Sequence, residues 1–341
     1  MKFFSQKLSK ERTDRLLARI GRVVASEQFI GGPETTELER RMTDYFGVET
    51  ITCNSGTDAL TLGLKALGIG PGDEVITTAF TYFATIEAIA TVGAKPVLVD
   101  IDPRTFNIDA AQIEKKMTKR TRAVLVVHLY GLACDMKPIV RLCKKYRLKL
   151  VEDCAQSYGA KHDGKRTGTF GDVGCFSFFP TKNLGGFGDG GAVTIRSSAV
   201  AKRFKLLKNH GQPKKYVHQI IGGNSRLDTI QAAVLLEKMT WLEEDLDVRR
   251  SQAETWFKKF REHPDVLAMP EQPGHTYNVF TLTVRNRKAF AQALEREGIP
   301  SAIYYETPVY RQQAYIGLFG KHKLLPHSEF AAKHVISLPI H

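Results

Sequence analysis

Three short segments of the chain carry side chains that could do chemistry, and each directly follows a strand-like run. The first, Cys53–Asp58, opens a predicted helix and therefore offers free backbone N–H groups, the positive end of a helix dipole and a hydroxyl. A phosphate or another small anion would fit there. Ordinary capping of the helix by Ser55 or Asp58 explains the same residues, and both interpretations stay open at this point.

The second segment ends in an acid and the third contains a single lysine. Glu152 and Asp153 close the run KLVED, and an acid at the end of an apolar strand is poorly solvated unless it has a cationic partner or a catalytic task. Lys182 lies between the apolar run FSFFP and a glycine-rich turn, where partial burial would lower the pKa of its amine and make it nucleophilic. The alternatives are a helix-capping acid and a lysine whose head reaches solvent.

The glycines near Lys182 do not form a P-loop, because the lysine precedes them. The run Gly68–Gly72 is no dinucleotide fingerprint, because it leads into a strand instead of a helix. An anion-binding turn, a strand-end acid and a lone amine on neighbouring strands match the requirements of pyridoxal phosphate. That cofactor needs a lysine for its Schiff base, a carboxylate at its ring nitrogen and a phosphate site. The sequence therefore predicts pyridoxal phosphate as the cofactor.

The order of strand-like and helical runs along the chain predicts the secondary-structure elements that position these three segments. From about residue 50 to 200, short β-branched runs alternate with helical stretches. This order predicts an α/β fold with right-handed crossovers and a mostly parallel central sheet flanked by helices. Ligands bind at the carboxyl edge of such sheets. Two helices precede the sheet, the second over residues 34–46 with Pro33 in its first turn.

The C-terminal part of the chain has a different pattern. Helical signal from residue 228 to about 261 is followed by the strand-like run NVFTLTV, the helix RKAFAQALEREG and the run IPSAIYY. This succession predicts a compact α+β unit. We expect a large α/β domain over residues 1–235 and a smaller C-terminal α+β domain over residues 236–341.

The composition fits a folded soluble protein and limits the classes of partner. Of the 341 residues, 43% are hydrophobic and 25% charged, and the net charge is +13. Basic residues alternate with acidic ones, which argues against a nucleic-acid partner and suits a phosphorylated small molecule. Five cysteines without a C-x-x-C pair indicate neither a disulfide framework nor a metal site, and no apolar run is long enough to span a membrane. We expect a cytoplasmic protein.

A resemblance to a known family rests on seven segments that occur in this order: SGTDAL, PGDEVITTAFTYFAT, VLVDIDPRTFNID, HLYG, VEDCAQSYGA, FSFFPTKNLGGFGDGGAV and GGNSRLDTIQAA. In their order and in their amino-acid sequences they resemble the nucleotide-sugar aminotransferases of the DegT/DnrJ/StrS type, over about residues 5–340. The resemblance implies the fold type I architecture of pyridoxal-phosphate-dependent aminotransferases, acting as a homodimer.

The resemblance also implies a role for individual residues. Lys182 corresponds to the lysine that holds the cofactor as a Schiff base, and Asp153 to the acid beside the pyridinium nitrogen. The other matching residues are Gln156 at the ring hydroxyl, Gly56, Thr57 and Ser177 at the phosphate, Tyr82 stacked on the ring, and Asn224 reaching the partner's phosphate across the dimer interface.

Several alternatives stay open within this resemblance. Tyr82 could exchange roles with the adjacent Phe83 or belong to the core, and Arg226 and His128 could be structural. After the run VISLPIH the family continues with a proline-rich turn and a final helix, so we expect a small domain that lacks its last helix.

The reaction implied by the resemblance is transfer of the amino group of L-glutamate to a keto group of a nucleotide-linked sugar. The product would be an amino sugar for a surface polysaccharide, such as the O antigen of lipopolysaccharide, or for another glycoconjugate. Asp58 after SGT is typical of relatives that aminate C3. The resemblance is greatest to enzymes that act on UDP-linked 3-keto sugars, including 2-acetamido hexuronates. A dTDP-linked 3-keto-6-deoxyhexose and C4 amination of a 4-keto-6-deoxy sugar are the alternatives.

Two other classes occur on the same scaffold. A dehydratase of the family replaces the cofactor lysine, so Lys182 argues against that class. A non-catalytic sensor or regulator is disfavoured by the complete set of Lys182, Asp153, Gln156 and Ser177.

Overall fold

Two helices precede a seven-stranded sheet in the computed structural model, which describes residues 3–4 and 7–340. The α-helices are α1 Lys10–Ser26, α2 Pro33–Phe46, α3 Gly56–Ala66, α4 Ala84–Thr91, α5 Ala110–Ile113, α6 Met136–Tyr146, α7 Ser198–Leu207, α8 Thr229–Lys238, α9 Leu242–Phe260, α10 Arg287–Arg296, α11 Gln313–Phe319 and α12 Pro326–His334. Short 3₁₀ turns cover Glu114–Lys116, Leu129–Gly131 and Val309–Arg311.

The strands form three sheets. They are β1 Thr50–Cys53, β2 Glu74–Thr78, β3 Lys95–Val99, β4 Thr121–Val127, β5 Lys149–Asp153, β6 Lys161–His162, β7 Lys165–Arg166, β8 Val173–Ser177, β9 Gly191–Ile195, β10 Val266–Ala268, β11 Phe280–Val284 and β12 Val335–Leu338. The central sheet has the order β1-β9-β8-β5-β4-β2-β3. Strands β3, β2, β4, β5 and β8 are parallel, whereas β9 runs antiparallel to both of its neighbours. The predicted α/β fold with a mostly parallel sheet is confirmed.

Both faces of the central sheet are covered, as its apolar strands require. In β4, Ala123 and Leu125 belong to one cluster of buried side chains, whereas Val124 and Val126 belong to another. Successive residues of a strand point to opposite faces, so one run of apolar residues serves two cores. Residues of α3 and α4 share the first core, and residues of α6 share the second.

Helix α2 ends where the sequence predicts, at Phe46. Helix α2 begins at Pro33, and its C-cap Gly47 adopts a left-handed conformation with a φ of 66°. Glycine is favoured there because it lacks the Cβ that makes positive φ costly. The helix expected over residues 34–46 is confirmed.

The C-terminal part forms an antiparallel sheet of β10, β11 and β12 against helices α9 and α10. Its core contains Trp256, Phe257, Phe280 and Phe290 among other large apolar side chains. The predicted α+β pattern is confirmed, and the run IPSAIYY contributes to it a single bridge between Ala302 and Ser337 and is otherwise irregular. The expected domain boundary at residue 235 stays a prediction.

None of the described helices has the length and hydropathy that a membrane crossing needs.

Candidate active site

A cavity of about 480 Å³ lies at the carboxyl ends of β4, β5 and β8, beside the first turn of α3. Seven of the eight predicted site residues line it: Gly56, Thr57, Tyr82, Asp153, Gln156, Ser177 and Lys182. We call this group of seven the sheet wall. The eighth, Asn224, is exposed, is not among the lining residues and forms an isolated bridge with Asn209.

The first turn of α3 is shaped to receive an anion. Ser55 is the N-cap, and its hydroxyl accepts a hydrogen bond from the backbone N–H of Asp58 at 3.1 Å, so the capping interpretation is right for Ser55. Within the described part of the chain, the N–H groups of Gly56 and Thr57 donate no hydrogen bond. A Cβ at Gly56 would lie 2.6 Å from the Cβ of Ser177, so only glycine lets the two segments approach this closely. The Ser177 hydroxyl and the backbone N–H groups of Gly56 and Thr57 therefore lie close together at one end of the cavity.

Asp153 is buried at the end of β5, with an exposed fraction of 6%. Its Oδ2 accepts a hydrogen bond from the Thr85 hydroxyl at 3.0 Å, and its Oδ1 accepts one from the backbone N–H of Ala155 at 3.1 Å. Burial raises the pKa of Asp153, although both hydrogen bonds and the positive charge of Lys182 act against that shift. A buried carboxyl with this environment favours a cationic partner in the cavity.

The amine of Lys182 faces the same cavity. It makes no hydrogen bond or ion pair with any residue in 3–4 or 7–340. Burial lowers the pKa of Lys182, and the charge of Asp153 only partly offsets this effect. A desolvated amine of this kind has a larger neutral fraction near neutral pH and is therefore a better nucleophile and base than a surface lysine.

Glu152, next to Asp153, points to the opposite face of the sheet and is structural. Its carboxylate accepts hydrogen bonds from the backbone N–H groups of Gly168, Phe170 and Gly171 at 2.7–2.8 Å. It also lies 3.0 Å from Nε2 of His128, and both side chains are fully buried. Nδ1 of His128 accepts the N–H of Cys134, so both ring nitrogens are engaged by the protein. The structural alternative is right for His128.

The two adjacent aromatic residues have different environments. Tyr82 is 63% exposed and lines the cavity, so it is not a core residue. Phe83 packs against the apolar cluster that contains Ile86 and Tyr310. Of the pair, the ring of Tyr82 is therefore the one available to a molecule in this cavity.

The opposite side of the cavity was missed by the sequence patterns. It consists of Asn278, Val279, Tyr304 and Tyr305, which we call the C-terminal wall. The Tyr305 hydroxyl accepts a hydrogen bond from Nε2 of Gln156 at 3.1 Å, which joins the two walls. Burial raises the pKa of Tyr305, so its phenol stays protonated. The aromatic pair in IPSAIYY is the signal that could have indicated this wall.

Asn278 has an unusual environment for a polar residue. Its exposed fraction is 4%, and its backbone N–H donates to the carbonyl of Tyr130 at 2.8 Å. Among the residues that the structure describes, no group hydrogen-bonds to its side-chain Oδ1. A buried amide oxygen that no described residue engages, at the edge of a cavity, is available to a bound molecule.

Comparison with known proteins agrees with this geometry. A sequence model described as the DegT/DnrJ/EryC1/StrS aminotransferase family matches residues 10–341. A UDP-2-acetamido-2-deoxy-3-oxo-D-glucuronate aminotransferase of Pseudomonas aeruginosa is 42% identical over 96% of this chain and 91% of its own length. A UDP-N-acetyl-3-dehydro-α-D-glucosamine 3-aminotransferase of Acidithiobacillus ferrooxidans is 43% identical over 96% and 89%. A pleiotropic regulatory protein of Geobacillus stearothermophilus is 42% identical over 93% and 87%.

Solved structures give the same result. An aminotransferase of this family from Brucella abortus superposes with a TM-score of 0.94 and 38% identity, covering 100% of this chain and 94% of that one. The Bacillus subtilis protein NtdA, solved with its cofactor PMP bound, superposes with a TM-score of 0.92 and 31% identity, covering 98% and 78%. The predicted resemblance, the aminotransferase fold and the vitamin B6 cofactor are thereby confirmed. The chain belongs to the DegT/DnrJ/EryC1/StrS aminotransferase family.

Proposed function

We propose that this enzyme transfers the amino group of L-glutamate to C3 of a keto sugar linked to a nucleotide diphosphate, with UDP as the favoured nucleotide. The observation that carries the proposal is the amine of Lys182, which has no hydrogen-bond or ion-pair partner among the described residues and shares one cavity with the buried Asp153 and the first turn of α3. The relatives from Pseudomonas and Acidithiobacillus, both named for 3-oxo or 3-dehydro sugars, support C3, as does Asp58. The product would serve a surface polysaccharide or glycoconjugate.

The side chains of the sheet wall suit pyridoxal phosphate. When bound, that cofactor supplies an aldehyde that carries the amino group and a ring that accepts electrons. Lys182 would hold it covalently and Asp153 would bind its ring nitrogen. The remaining contacts would come from Gln156 at the ring hydroxyl, Tyr82 on the ring face, and Gly56, Thr57 and Ser177 at the phosphate.

Lys182 would move the protons of both half-reactions. In the first, its Nζ would take the proton from the α-carbon of glutamate and pass it to the cofactor, and in the second the same amine would carry a proton from the cofactor to C3 of the sugar. The lowered pKa of Lys182 suits this task, because a neutral amine can accept a proton near neutral pH. No residue that the structure describes binds the amine, so it is available to reach both carbons.

Asp153 would hold a proton on the ring nitrogen. A cationic N–H opposite the carboxylate favours ionisation of Asp153 and offsets the cost of its burial. Thr85 and the N–H of Ala155 fix the orientation of the carboxylate. The negative charge of Asp153 would then stay beside the ring nitrogen throughout the reaction.

A second copy of the chain would complete the site. Asn224 is exposed and is not among the cavity-lining residues, which is consistent with a contact to a partner's phosphate site. The neighbouring loop also exposes large apolar side chains, since Ile221 is 96% and Tyr216 80% exposed. Burial of such groups between two copies would favour a homodimer.

A cytoplasmic location is part of the proposal. It is supported by five cysteines, all of them buried and free, which suit a reducing compartment.

A regulatory role is the second candidate, because a relative at 42% identity is named a pleiotropic regulatory protein. The two candidates differ in whether glutamate converts the bound cofactor to its amino form. Conversion, followed as loss of the absorbance of the Lys182 Schiff base, is expected for the enzyme. Absence of conversion with any amino donor would favour the regulator.

The decisive experiment uses ¹⁵N-labelled glutamate and a panel of UDP- and dTDP-linked 3-keto and 4-keto sugars. NMR of the products identifies the carbon that carries the ¹⁵N label. We expect the label at C3 of a UDP-linked sugar, and the Lys182→Ala variant serves as the control for background chemistry. Label at C4 alone would contradict the C3 assignment and leave the aminotransferase assignment intact.

A further inference from the structure

The turn that follows Lys182 is tightly enclosed. Gly185 lies so close to the carbonyl of Pro180 that a Cβ would collide with it. The N–H of Gly186 donates to the carbonyl of Phe178 at 2.7 Å, and the N–H of Lys182 donates to the carbonyl of Phe179 at 2.9 Å. These bonds hold the turn to the end of β8, on one side only.

Helix α8 holds the other side of the turn. Oε1 of Gln231 accepts a hydrogen bond from the backbone N–H of Phe187 at 2.8 Å. A Cβ at Gly186 would lie 2.8 Å from Oε1 of the same glutamine, and one at Gly188 would lie 3.0 Å from its Nε2. The glutamine amide is therefore inserted between the glycines of the turn.

A second residue of α8 supports the same contact. Lys238 lies two helical turns after Gln231 on the same helix face, and its Nζ donates to the carbonyl of Gly185 at 2.7 Å. The helix itself is firmly packed, since Ala232, Leu235 and Leu236 are buried. Its side chains thus connect the turn to a rigid part of the protein.

The position of the Lys182 amine depends on this turn. No described residue contacts the amine by a hydrogen bond or ion pair, so its direction is set by the backbone that carries it. We infer that Gln231 is a positioning residue, which fixes the turn at Phe187 so that Lys182 points into the cavity toward Asp153. This inference rests on the proposed role of Lys182 as the cofactor lysine.

The test measures how fast Lys182 captures the cofactor, without the sugar reaction. Purified protein is freed of cofactor, mixed with pyridoxal phosphate and quenched with borohydride at timed intervals. Mass spectrometry then measures the fraction of the Lys182 peptide that carries the reduced adduct. The capture rate is measured from pH 6 to pH 9, because the midpoint of its pH profile reports the pKa of the Lys182 amine. A general loss of stability would leave that midpoint unchanged.

Three variants separate positioning from packing. Gln231→Met keeps the volume and removes the acceptor, Gln231→Glu keeps an acceptor oxygen, and Gln292→Met changes an exposed glutamine of α10. We expect capture by Gln231→Met to be roughly five- to tenfold slower, the equivalent of one lost hydrogen bond, with a shifted midpoint. Gln231→Glu and Gln292→Met should capture at rates within about twofold of wild type.

The outcomes distinguish this inference from the proposed function. Capture by Gln231→Met at the wild-type rate and midpoint would overturn the positioning role while Lys182 remains the cofactor lysine. Adducts at other lysines in the wild-type protein, with none at Lys182, would overturn both. If Gln231→Met does not fold, Gln231→Asn replaces it, because its shorter amide cannot reach Phe187, and the same slowing is expected.

Discussion

The two walls of the cavity are built in different ways. The sheet wall stands at the ends of parallel strands, so its positions follow from backbone register, and Asp153 and Ser177 lie on adjacent strands of one sheet. The C-terminal wall consists of irregular segments, attached through a few contacts such as the hydrogen bond from Asn278 to Tyr130. The sheet wall carries the groups that suit cofactor chemistry, and we expect the C-terminal wall to contact the sugar substrate.

The largest effect is expected for Lys182→Ala on the sheet wall. Removal of the amine eliminates covalent capture of the cofactor and the proton transfers, so turnover should fall by at least about 10³-fold. Steady-state assays with glutamate and the keto sugar would measure it. Lys137→Ala, an exposed lysine, should retain wild-type activity. Wild-type turnover by Lys182→Ala would show that the chemistry does not belong to this wall.

Asp153→Asn should have the next largest effect. The amide keeps the size of the side chain but cannot stabilise a cation on the ring nitrogen, so turnover should fall by about 10²–10³-fold. Cofactor content, measured by absorbance, should be retained, because the other contacts of the sheet wall are unchanged. Near-normal turnover would contradict the role of Asp153, and loss of the cofactor would indicate a binding role instead.

The sheet wall could be predicted from the sequence because its signals are local. A strand-end acid, a helix-opening glycine and a lysine before a glycine-rich turn each follow a recognisable run, and parallel strands bring such runs to one edge. Glu152 shows the limit, because only the pleat of β5 decides that it faces away from the cavity while Asp153 faces toward it. The resemblance supplied the individual roles, which periodicity alone does not give.

The C-terminal wall could not be predicted in this way. Asn278 belongs to the run NVFTLTV, whose pattern indicates only a strand. The two tyrosines that end the run IPSAIYY draw attention to that segment, but their spacing does not show which surface they line. Asn278 and Tyr305 reach the site because segments distant in sequence pack together, as in the bond between Gln156 and Tyr305. Long-range packing of irregular segments leaves no periodic signal in the chain.

Asn278→Ala should separate the two walls by function. Because the side-chain Oδ1 has no partner in the described structure, its removal should affect a bound molecule more than the fold. We expect KM for the nucleotide sugar to rise about five- to tenfold, with cofactor affinity unchanged, as one lost hydrogen bond implies. Rapid-mixing experiments that follow the glutamate and the sugar half-reactions separately would show which of the two is slowed, and steady-state assays would give KM for the nucleotide sugar. Equal slowing of the glutamate and the sugar half-reactions would show that the C-terminal wall is not specific to the nucleotide sugar.

The smallest effect on activity is expected at His275, which tests how the C-terminal wall is held. Burial lowers the pKa of His275 from 6.5 to about 3, and its Nδ1 accepts the N–H of Tyr277 at 2.9 Å. The neighbouring N–H groups of Thr276 and Asn278 donate to the carbonyls of Gly131 and Tyr130, so this segment attaches the wall to the turn after β4.

Protonation of His275 should loosen that attachment. Below pH 6.5 the unfolded chain binds a proton that the folded chain excludes, so the free energy of unfolding falls as pH decreases toward 3. Between pH 7 and pH 5 the loss from this residue is about 2 kcal/mol. His275→Asn keeps an acceptor for Tyr277 without a titrating group, so urea unfolding of the variant should depend less on pH, with turnover at pH 7 unchanged. Equal pH dependence in both proteins would mean that the acid sensitivity arises elsewhere and that the wall is held independently of this ring.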